Sequence, residues 1–307
     1  SHTLRYYVIA ASAPGSGLPE YSFSGYVDDQ QIELYNSELR RNVPVAPWMK
    51  EKEEAEYWEG QTWFRKSDEA FLRHETKMWM KRFNHTGGSH FVQIMTGCEL
   101  RDDGSIARSK RFTYDGEEFM YYDPSTGVFI PSKAEARITT QEWNMEGHGC
   151  TESTRQYMAA ECIERLKRFI EFGREDLERK VRPRVKVSGR ESGDVTKLHC
   201  VVYGFLPRAV DVRWMKNGVD DVPTYETTHV LPNPDGTYQI RVSVDVISKE
   251  VDTYLCYVDH SSLEEPLLVP WEKKSKSHLA VVAGVVIIIV LLLAAGGITL
   301  YRSKCPE

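Results

Sequence analysis

From Leu279 to Tyr301 the chain reads LAVVAGVVIIIVLLLAAGGITLY, 23 residues without one charge. Wound as a helix at about 1.5 Å per residue, such a run covers the roughly 30 Å hydrocarbon core of a bilayer, so a single membrane crossing is expected at 279–301. Almost the whole chain lies before it, and only 302–307 follow as a short tail. Lys273, Lys274 and Lys276 precede the run and Arg302 and Lys304 follow it, so the positive-inside count does not orient the span. The sugar acceptor Asn84-His85-Thr86 and a cysteine pattern suited to disulfides do orient it. Both place the N-terminal portion in a lumenal or extracellular compartment. The chain opens at Ser1 on a strand-like run with no leader ahead of it, and is expected to be a mature chain.

The extramembrane part is not a disordered polymer, because 41% hydrophobic and 27% charged residues in a chain of 307 supply apolar material for two or three domains with separate cores. A net charge of -6 with Lys and Arg scattered along the sequence builds no basic field, which argues against a nucleic-acid partner. GxSxG, HExxH, phosphate-loop and GxGxxG patterns are all missing, so no catalytic residue and no cofactor is expected. The six cysteines form no CxxC pair and no Cys/His group at zinc spacing, and the nine histidines read as dispersed surface or structural groups rather than metal ligands. Cys150, in the polar stretch GHGCTES, reads as a free surface thiol, and Cys305 as a candidate acylation site in the tail.

The segment nearest the span carries the most specific spacing. RVKVSGRESGDVTKLHCVVYGFLPRAVDVRWMKNG and QIRVSVDVISKEVDTYLCYVDH are short alternating strands separated by turn residues, the pattern of a β-sandwich. Cys200 and Cys256 lie 56 residues apart, Trp214 follows the first by fourteen, and Tyr254 precedes the second by two. A bridge between sheets, an indole packed on it and a tyrosine corner together specify an immunoglobulin domain.

Upstream, residues 1–181 read as two copies of one plan, strands first and a long charged helix after them. GYVDDQQIELYN from Gly25 and TYDGEEFMYYD from Thr113 both set a Tyr and acidic turn residues between strand-like runs. Phe64, Phe71 and Met78, flanked by Leu72 and Trp79, predict one apolar stripe on the first helix. Cys162, Ile163, Leu166, Phe169 and Ile170 predict another on the second. Cys162 shares that face and Cys98 ends a strand of the same half, so the two can bridge helix to sheet. Closing that loop of 64 residues contributes about 4 kcal/mol in the chain-entropy model. Two such halves give an α+β platform, one antiparallel sheet with two helices across one face and a groove between them.

SHTLRYY, GYVDD, APWM, EYWEGQT, RFNHTGGSH, GCEL, YDGEEF, ECIERLKRF and YLCYVDH occur in order along almost the whole chain. In these motifs the chain resembles a major histocompatibility complex (MHC) class I heavy chain of a non-mammalian type, with departures toward the non-classical members. The resemblance implies an α1 domain over 1–87, α2 over 88–181, α3 of constant type over 182–272, a connecting peptide over 273–278, the span, and the tail. It also implies β2-microglobulin beneath the groove, a glycan on Asn84 where the α1 helix ends, Cys98 paired with Cys162, and Cys200 paired with Cys256. The implied function is cell-surface display of a ligand, a short peptide first of all, to T-cell receptors. The implied life history is a single-pass type I protein assembled in the endoplasmic reticulum. The alternatives are a non-classical molecule whose narrowed groove holds a small, lipid-like or no ligand for innate-like T cells or NK receptors, and a transport receptor for immunoglobulin that needs clustered histidines.

Within the resemblance, the groove ends decide what is bound, since a buried charged terminus without partners costs several kcal/mol. At the end that takes a peptide amine, Tyr6, Tyr57 and Tyr157 match the family's tyrosines. Phe169 stands where classical members carry Tyr, a loss of roughly 0.5–1.5 kcal/mol for one hydrogen bond. Arg165 replaces the usual Trp and opposes an ammonium. At the carboxylate end Arg82, Thr139 and Trp143 match, but Glu142 replaces a Lys; it either repels a carboxylate, or pairs with Arg82 or turns to solvent while peptide still binds. Phe64, Phe71, Leu72, Met78 and Trp79 from the wall and Phe23 and Phe112 from the floor are bulky enough to fill pockets, with Gln61 and Asp68 completing the wall. Lys110 is expected on a floor strand, facing an acidic ligand or Glu142. In the α3 loop Asp220, Asp221 and Glu226 keep the acidic character of a co-receptor site, while Pro223 replaces its glutamine.

Overall fold

The computed structural model describes residues 1–272 except 14–16, 219, 223–225 and 248–251. The expected connecting peptide, span and tail, with Cys305, therefore lie outside the described residues, as does Pro223. Among the described residues no helix is long and apolar enough to cross a membrane. The chain divides into two compact units, the first covering Ser1–Arg179 and the second beginning at Lys180.

In the first unit each half folds as a four-stranded meander. The strands are β1 (His2–Ala11), β2 (Tyr21–Val27), β3 (Gln30–Asn36) and β4 (Val43–Pro44), then β5 (Phe91–Leu100), β6 (Ile106–Tyr114), β7 (Glu117–Asp123) and β8 (Val128–Pro131). The hairpins are short for a chemical reason. Asp115 and Gly116, the two residues between β6 and β7, both take positive φ, 50° and 83°, the conformation of a tight two-residue turn that matches strand twist. The halves fuse because β1 pairs with β5, giving one antiparallel sheet in the order β4-β3-β2-β1-β5-β6-β7-β8. Strict alternation in YSFSGYV of β2 buries Tyr21, Phe23, Gly25 and Val27 on one face.

That face carries the helices. The first half supplies a short helix, Pro47–Lys52, with proline in its first turn, and then 28 helical residues, Ala55–Arg82. The second half departs from the single helix its periodicity predicts. A 3₁₀ turn, Ala134–Ala136, leads into Arg137–Asn144, and Gly147 and Gly149, at φ 87° and 88°, interrupt before Cys150–Gln156. A π turn, Tyr157–Glu161, then precedes Cys162–Phe172 and the short Arg174–Leu177. Glycines in the left-handed region stop a helix, and an i→i+5 turn rotates the face that follows it.

The predicted stripe on the long helix needs correction too. Its buried residues are Arg65, Glu69, Leu72, Thr76 and Trp79, whereas Phe64 is 50% exposed and Phe71 and Met78 are half-buried. The apolar seven-residue spacing lies beside the sheet-facing line, which mixes polar with apolar groups: the floor meets Glu69 with Tyr35 and Arg65 with the Phe23 ring, while the Thr76 hydroxyl is buried without a partner among the described residues. Cys98 of β5 and Cys162 are bonded, with Cα atoms 6.2 Å apart, and tie the second wall to the centre of the sheet.

The second unit is a sandwich. One sheet runs β13 (Glu226–Thr227), β15 (Tyr238–Ile247), β10 (Val195–Phe205), β9 (Arg184–Ser192), with β14 (Leu231–Pro232) also on β15. The other runs β12 (Asp220–Asp221), β11 (Asp211–Lys216), β16 (Tyr254–Asp259), β17 (Leu267–Pro270). Cys200 and Cys256 are bonded across the sheets, and the fully buried Trp214 lies opposite Cys256 in register and donates its indole N–H to Val242 O at 3.1 Å.

Replacing both Cys98 and Cys162 by Ala is expected to lower unfolding stability of the first unit by about 4 kcal/mol, the entropy of closing a loop of that length. Thermal and denaturant melts of residues 1–272 read this directly, with the Cys200–Cys256 pair left intact as the internal reference.

Candidate functional site

The long helix and the helix Cys162–Phe172 both pack on β1, on the face that holds Leu4, Tyr6, Val8 and Ala10, and share one core with it. The site is the groove between them. At one end Tyr6 rises from β1, Tyr57 from the first turn of the long helix and Tyr157 from the π turn. Tyr6 is 6% exposed and the hydroxyl oxygens of all three are enclosed; Arg165 meets the Tyr6 hydroxyl, while those of Tyr57 and Tyr157 have no hydrogen-bond partner among the described residues. Gly25 sits opposite Tyr6 in the β1/β2 register. A Cβ there would lie 2.7 Å from Glu33 Cγ and 3.0 Å from the Tyr6 ring, so only glycine lets that carboxylate and that phenol approach.

Burial pushes the Tyr6 phenol up to about 12, with the charge of Glu33 adding to it and Arg165 and Arg65 pulling it back. Burial likewise raises Tyr57 and Tyr157, each again opposed by Arg165. Burial alone would lower the Arg165 guanidinium, yet the three tyrosines hold it above its ordinary value. Phe169 is fully buried with its ring 6.4 Å from that of Trp48, and a Cβ on Gly173 would fall 2.6 Å from the same indole, which walls off this end. Arg168 pairs with Glu53 at 2.8 Å outside the wall.

Further along, the Arg65 guanidinium lies 3.4 Å above the Phe23 ring and 4.9 Å from that of Phe64. Tyr21 donates to Asp68 at 2.5 Å and Tyr35 to Glu69 at 2.7 Å, and Glu69 also pairs with Arg73 at 3.0 Å. Gln61 is half-buried on the same helix. Lys110 of β6 donates to Thr154 Oγ1 at 3.1 Å and lies 5.6 Å from the Phe112 ring, and burial lowers its amine, opposed by Asp68. It does not pair with Glu142. Cys150 is a half-buried free thiol packed against this core, pushed up to about 11 by burial, and so is not the surface thiol its polar flanks suggest.

The other end is closed by the protein itself. Arg82 donates to Thr139 Oγ1 and reaches Glu142 Oε2 at 3.3 Å, from one wall to the other. Beside this latch Phe71 of the long helix meets Trp143 of the opposite wall, ring centroids 5.6 Å apart, and Trp143 packs edge-on against Phe112 at 5.3 Å and Phe129 at 5.2 Å. Trp79, fully buried, completes the cluster at 6.4 Å from Trp143 and 4.3 Å from Phe119. Met78 is half-buried beside it.

Sequence reasoning missed Glu33 of β3 and Arg65, Glu69 and Thr76 of the long helix, because charged and hydroxyl residues on a buried strand or helix face carry no apolar signal. The strict alternation that set Tyr21 on the same face as Phe23 was the available clue. It also read the histidines as dispersed. His85 and His90 stack at 4.0 Å, with His90 Nδ1 2.8 Å from Asp115 Oδ2 and Nε2 3.1 Å from Gly87 O. These residues are close enough to share an ion. Yet the two rings are nearly parallel, 11° apart, which sends their in-plane lone pairs side by side instead of to one point, and both nitrogens of His90 are engaged. Asn84 is exposed at φ 56° just past the helix end. Glu226 is exposed and pairs with Lys197 at 2.9 Å, while Asp220 and Asp221 pair through their backbones with Lys216 and Met215.

Residues 1–177 match the family model for class I histocompatibility antigen, domains alpha 1 and 2, and residues 181–263 match that for the immunoglobulin C1-set domain. The chain belongs to the class I histocompatibility family. It is 37% identical over 284 residues to the class I histocompatibility antigen F10 alpha chain of Gallus gallus, covering 92% of this chain and 82% of that one. It is also 37% identical over 273 residues to the MHC class I-related protein 1 of Rattus norvegicus, covering 89% and 79%. To the H-2 class I K-D alpha chain of Mus musculus it is 37% identical over 277 residues, covering 88% and 74%. A class I molecule of this family is an antigen-presenting protein and not an enzyme.

Lys110→Met is expected to raise stability by about 1–2 kcal/mol at neutral pH, because it removes a buried amine that has one hydroxyl for a partner. The amine is lowered in the folded state, so the unfolded chain binds the proton more readily and the native amine costs stability at low pH. The advantage of the variant is therefore full below the folded-state pKa of Lys110 and disappears as pH rises to the unfolded value. Paired thermal melts across pH 6 to 10 (roughly the window in which a lysine amine titrates) follow it.

Proposed function

We propose that this chain is a cell-surface, single-pass class I molecule that pairs with β2-microglobulin and displays a compact, non-peptide ligand to T-cell receptors from the half of its groove nearest Tyr6, Tyr57 and Tyr157. The observation that carries this reading is the contact of Phe71 with Trp143 across the groove, beside an Arg82 already engaged by Thr139 and Glu142. A peptide held at both termini requires its carboxylate to take Arg82 from Glu142 and its last side chain to part Phe71 from Trp143. Separating such packed rings costs about 0.5–1.5 kcal/mol per pair beyond the area exposed.

Pairing with the light chain is supported by the opposite face of the sheet, where Tyr7 is 38% exposed and stacks edge-on with Tyr26. Domain limits of 1–87, 88–181 and 182–272, the span at 279–301, a glycan on Asn84 and a co-receptor or NK-receptor contact through the 220–226 loop belong to the same reading. Within it Arg82, Thr139, Glu142 and Trp143 close one end, Phe23, Gln61, Phe64, Asp68, Phe71, Leu72 and Phe112 line the remaining cleft, and Met78 and Trp79 back the closure.

The end-anchored peptide remains the competing reading, favoured by the three tyrosines that match the family's amine site. Acid elution and mass spectrometry of the assembled molecule decide between them. No ladder of short peptides is expected from the natural chain, and Phe71→Ala combined with Glu142→Lys is expected to produce one. A ladder from the natural chain overturns the compact-ligand reading.

A further inference from the structure

The long helix carries a second cavity on the flank turned away from the groove. Glu59, Thr62, Trp63 and Lys66 are spaced by whole turns and so share one side of the helix, apart from the line of Phe64 and Phe71. With Trp58 of the same helix and Arg41 of the loop after β3, they line a space of about 280 Å³. That loop is fixed at both ends. Asn36 Oδ1 accepts from the backbone N–H groups of Glu38 and Leu39 at 3.1 and 2.7 Å, and Arg40 turns the chain at φ 52°. Asn42 then donates its backbone N–H to Thr62 Oγ1 at 3.0 Å and its amide to Glu33 at 2.6 Å. Trp58 is half-buried and edge-on to Tyr57, ring centroids 5.0 Å apart, so the cavity is pre-formed. Trp63 has no such cover. At 71% it is the most exposed large apolar side chain among the described residues, and Leu39 in the adjoining loop is 43% exposed.

Charge narrows what can dock here. Arg41 and Lys66 are exposed and form no ion pair among the described residues. Arg40 reaches Glu69 at 3.7 Å, but that carboxylate is already bonded to Arg73 and Tyr35. The exposed anions alongside are Glu59 on the lining and Glu38 in the loop, so three cations stand against two carboxylates. Lys66 lies a turn beyond Thr62 and Glu59 a turn before it, which makes the Lys66 rim the attractive one. A free small molecule is a poor occupant, because ligand pockets that bury a whole molecule hold about 300–1,000 Å³. A sugar fits no better. The one hydroxyl on the lining, Thr62, already accepts from Asn42 and donates to Trp58 O at 2.7 Å, and has little left for a polar ligand. One apolar side chain of a larger partner does fit, since a Trp with Arg beside it is the commonest kind of energetic centre in a protein interface.

We propose that this flank docks an acidic segment of a partner protein, one apolar anchor side chain entering against Trp58 and Trp63 while neighbouring carboxylates meet Arg41 and Lys66. Trp63 supplies the buried area and the two cations supply the choice of partner. The contact lies outside the groove and does not depend on what the groove holds.

Calorimetric titration of the assembled molecule tests this with four probes: the end-blocked peptides Asp-Asp-Phe-Asp-Asp, Asp-Asp-Gly-Asp-Asp and Lys-Lys-Phe-Lys-Lys, and sialyllactose. The first is expected to bind with a dissociation constant below about 1 mM, and at least about tenfold more tightly than each of the others. Trp63→Ala is expected to weaken it about tenfold or more, whereas Ile138→Ala, which removes an exposed apolar side chain from the other wall, leaves it unchanged. Arg41→Glu combined with Lys66→Glu reverses the preference toward the basic peptide, and raising salt weakens the acidic one. Circular dichroism melts establish that these surface variants are folded. No saturable binding of the anchored acidic peptide, equal binding of the basic one, tighter binding of the sugar, or an affinity untouched by Trp63→Ala overturns the proposal.

Discussion

The ten antiparallel residue pairs between β1 and β5, from His2 with Leu100 to Ala11 with Phe91, make a groove out of two half-sheets. Neither meander alone can close a cleft, since each carries a helical wall on one side only. Joining them edge to edge sets the two walls across one surface and brings Tyr6, at the middle of β1, under both. The register matters as much as the pairing. A slip of one residue would turn Tyr6 to the far face and offer Arg5 or Tyr7 in its place, because successive side chains point to opposite sides of a strand. The Cys98–Cys162 bond pins that register from above, holding the second wall to the residue that pairs with Leu4.

With the frame set, the buried face of the long helix can afford to be polar. Arg65, Glu69 and Thr76 would be poor choices against an apolar sheet. The floor instead offers Tyr35 to Glu69 and the Phe23 ring to Arg65, while the neighbouring Asp68 takes the Tyr21 hydroxyl. Arg65 and Glu69 are thus each matched by a side chain of β2 or β3. Thr76 is the exception, its hydroxyl buried without a partner among the described residues.

Legibility of the sequence followed the nature of each signal. Strand alternation and turn chemistry are local, so the two strand-then-helix halves and the sandwich with its Cys200, Trp214 and Cys256 spacing were visible in the residues themselves. The breaks in the second wall also had local signals, Gly147 and Gly149, but glycines in a polar stretch read as an ordinary loop and the π turn has no composition of its own. Contacts made across the groove left no trace in spacing at all. Phe71 and Trp143 are 72 residues apart along the chain, and only the fold makes them neighbours. Likewise His85 and His90 looked scattered until the helix end and the start of β5 stacked them. The pairing of Arg82 with Glu142 was legible as one of two readings of the charge reversal at Glu142, and the width of the cleft is what lets the two meet.

The two ends of the groove differ in what they leave for a ligand to do. Arg82 already donates to Thr139 and faces Glu142, and the aromatic cluster around Trp143 is packed from both walls and the floor. A ligand arriving there can only exchange one set of contacts for another, with little net gain in free energy. At the opposite end the hydroxyls of Tyr57 and Tyr157 are enclosed with no partner among the described residues, and Arg165 meets the Tyr6 hydroxyl. A hydrogen bond that a ligand forms with Tyr57 or Tyr157 replaces none among the described residues, so less is given up there on binding. In the proposed reading a short ligand anchored at the tyrosine end therefore loses little by failing to reach the other.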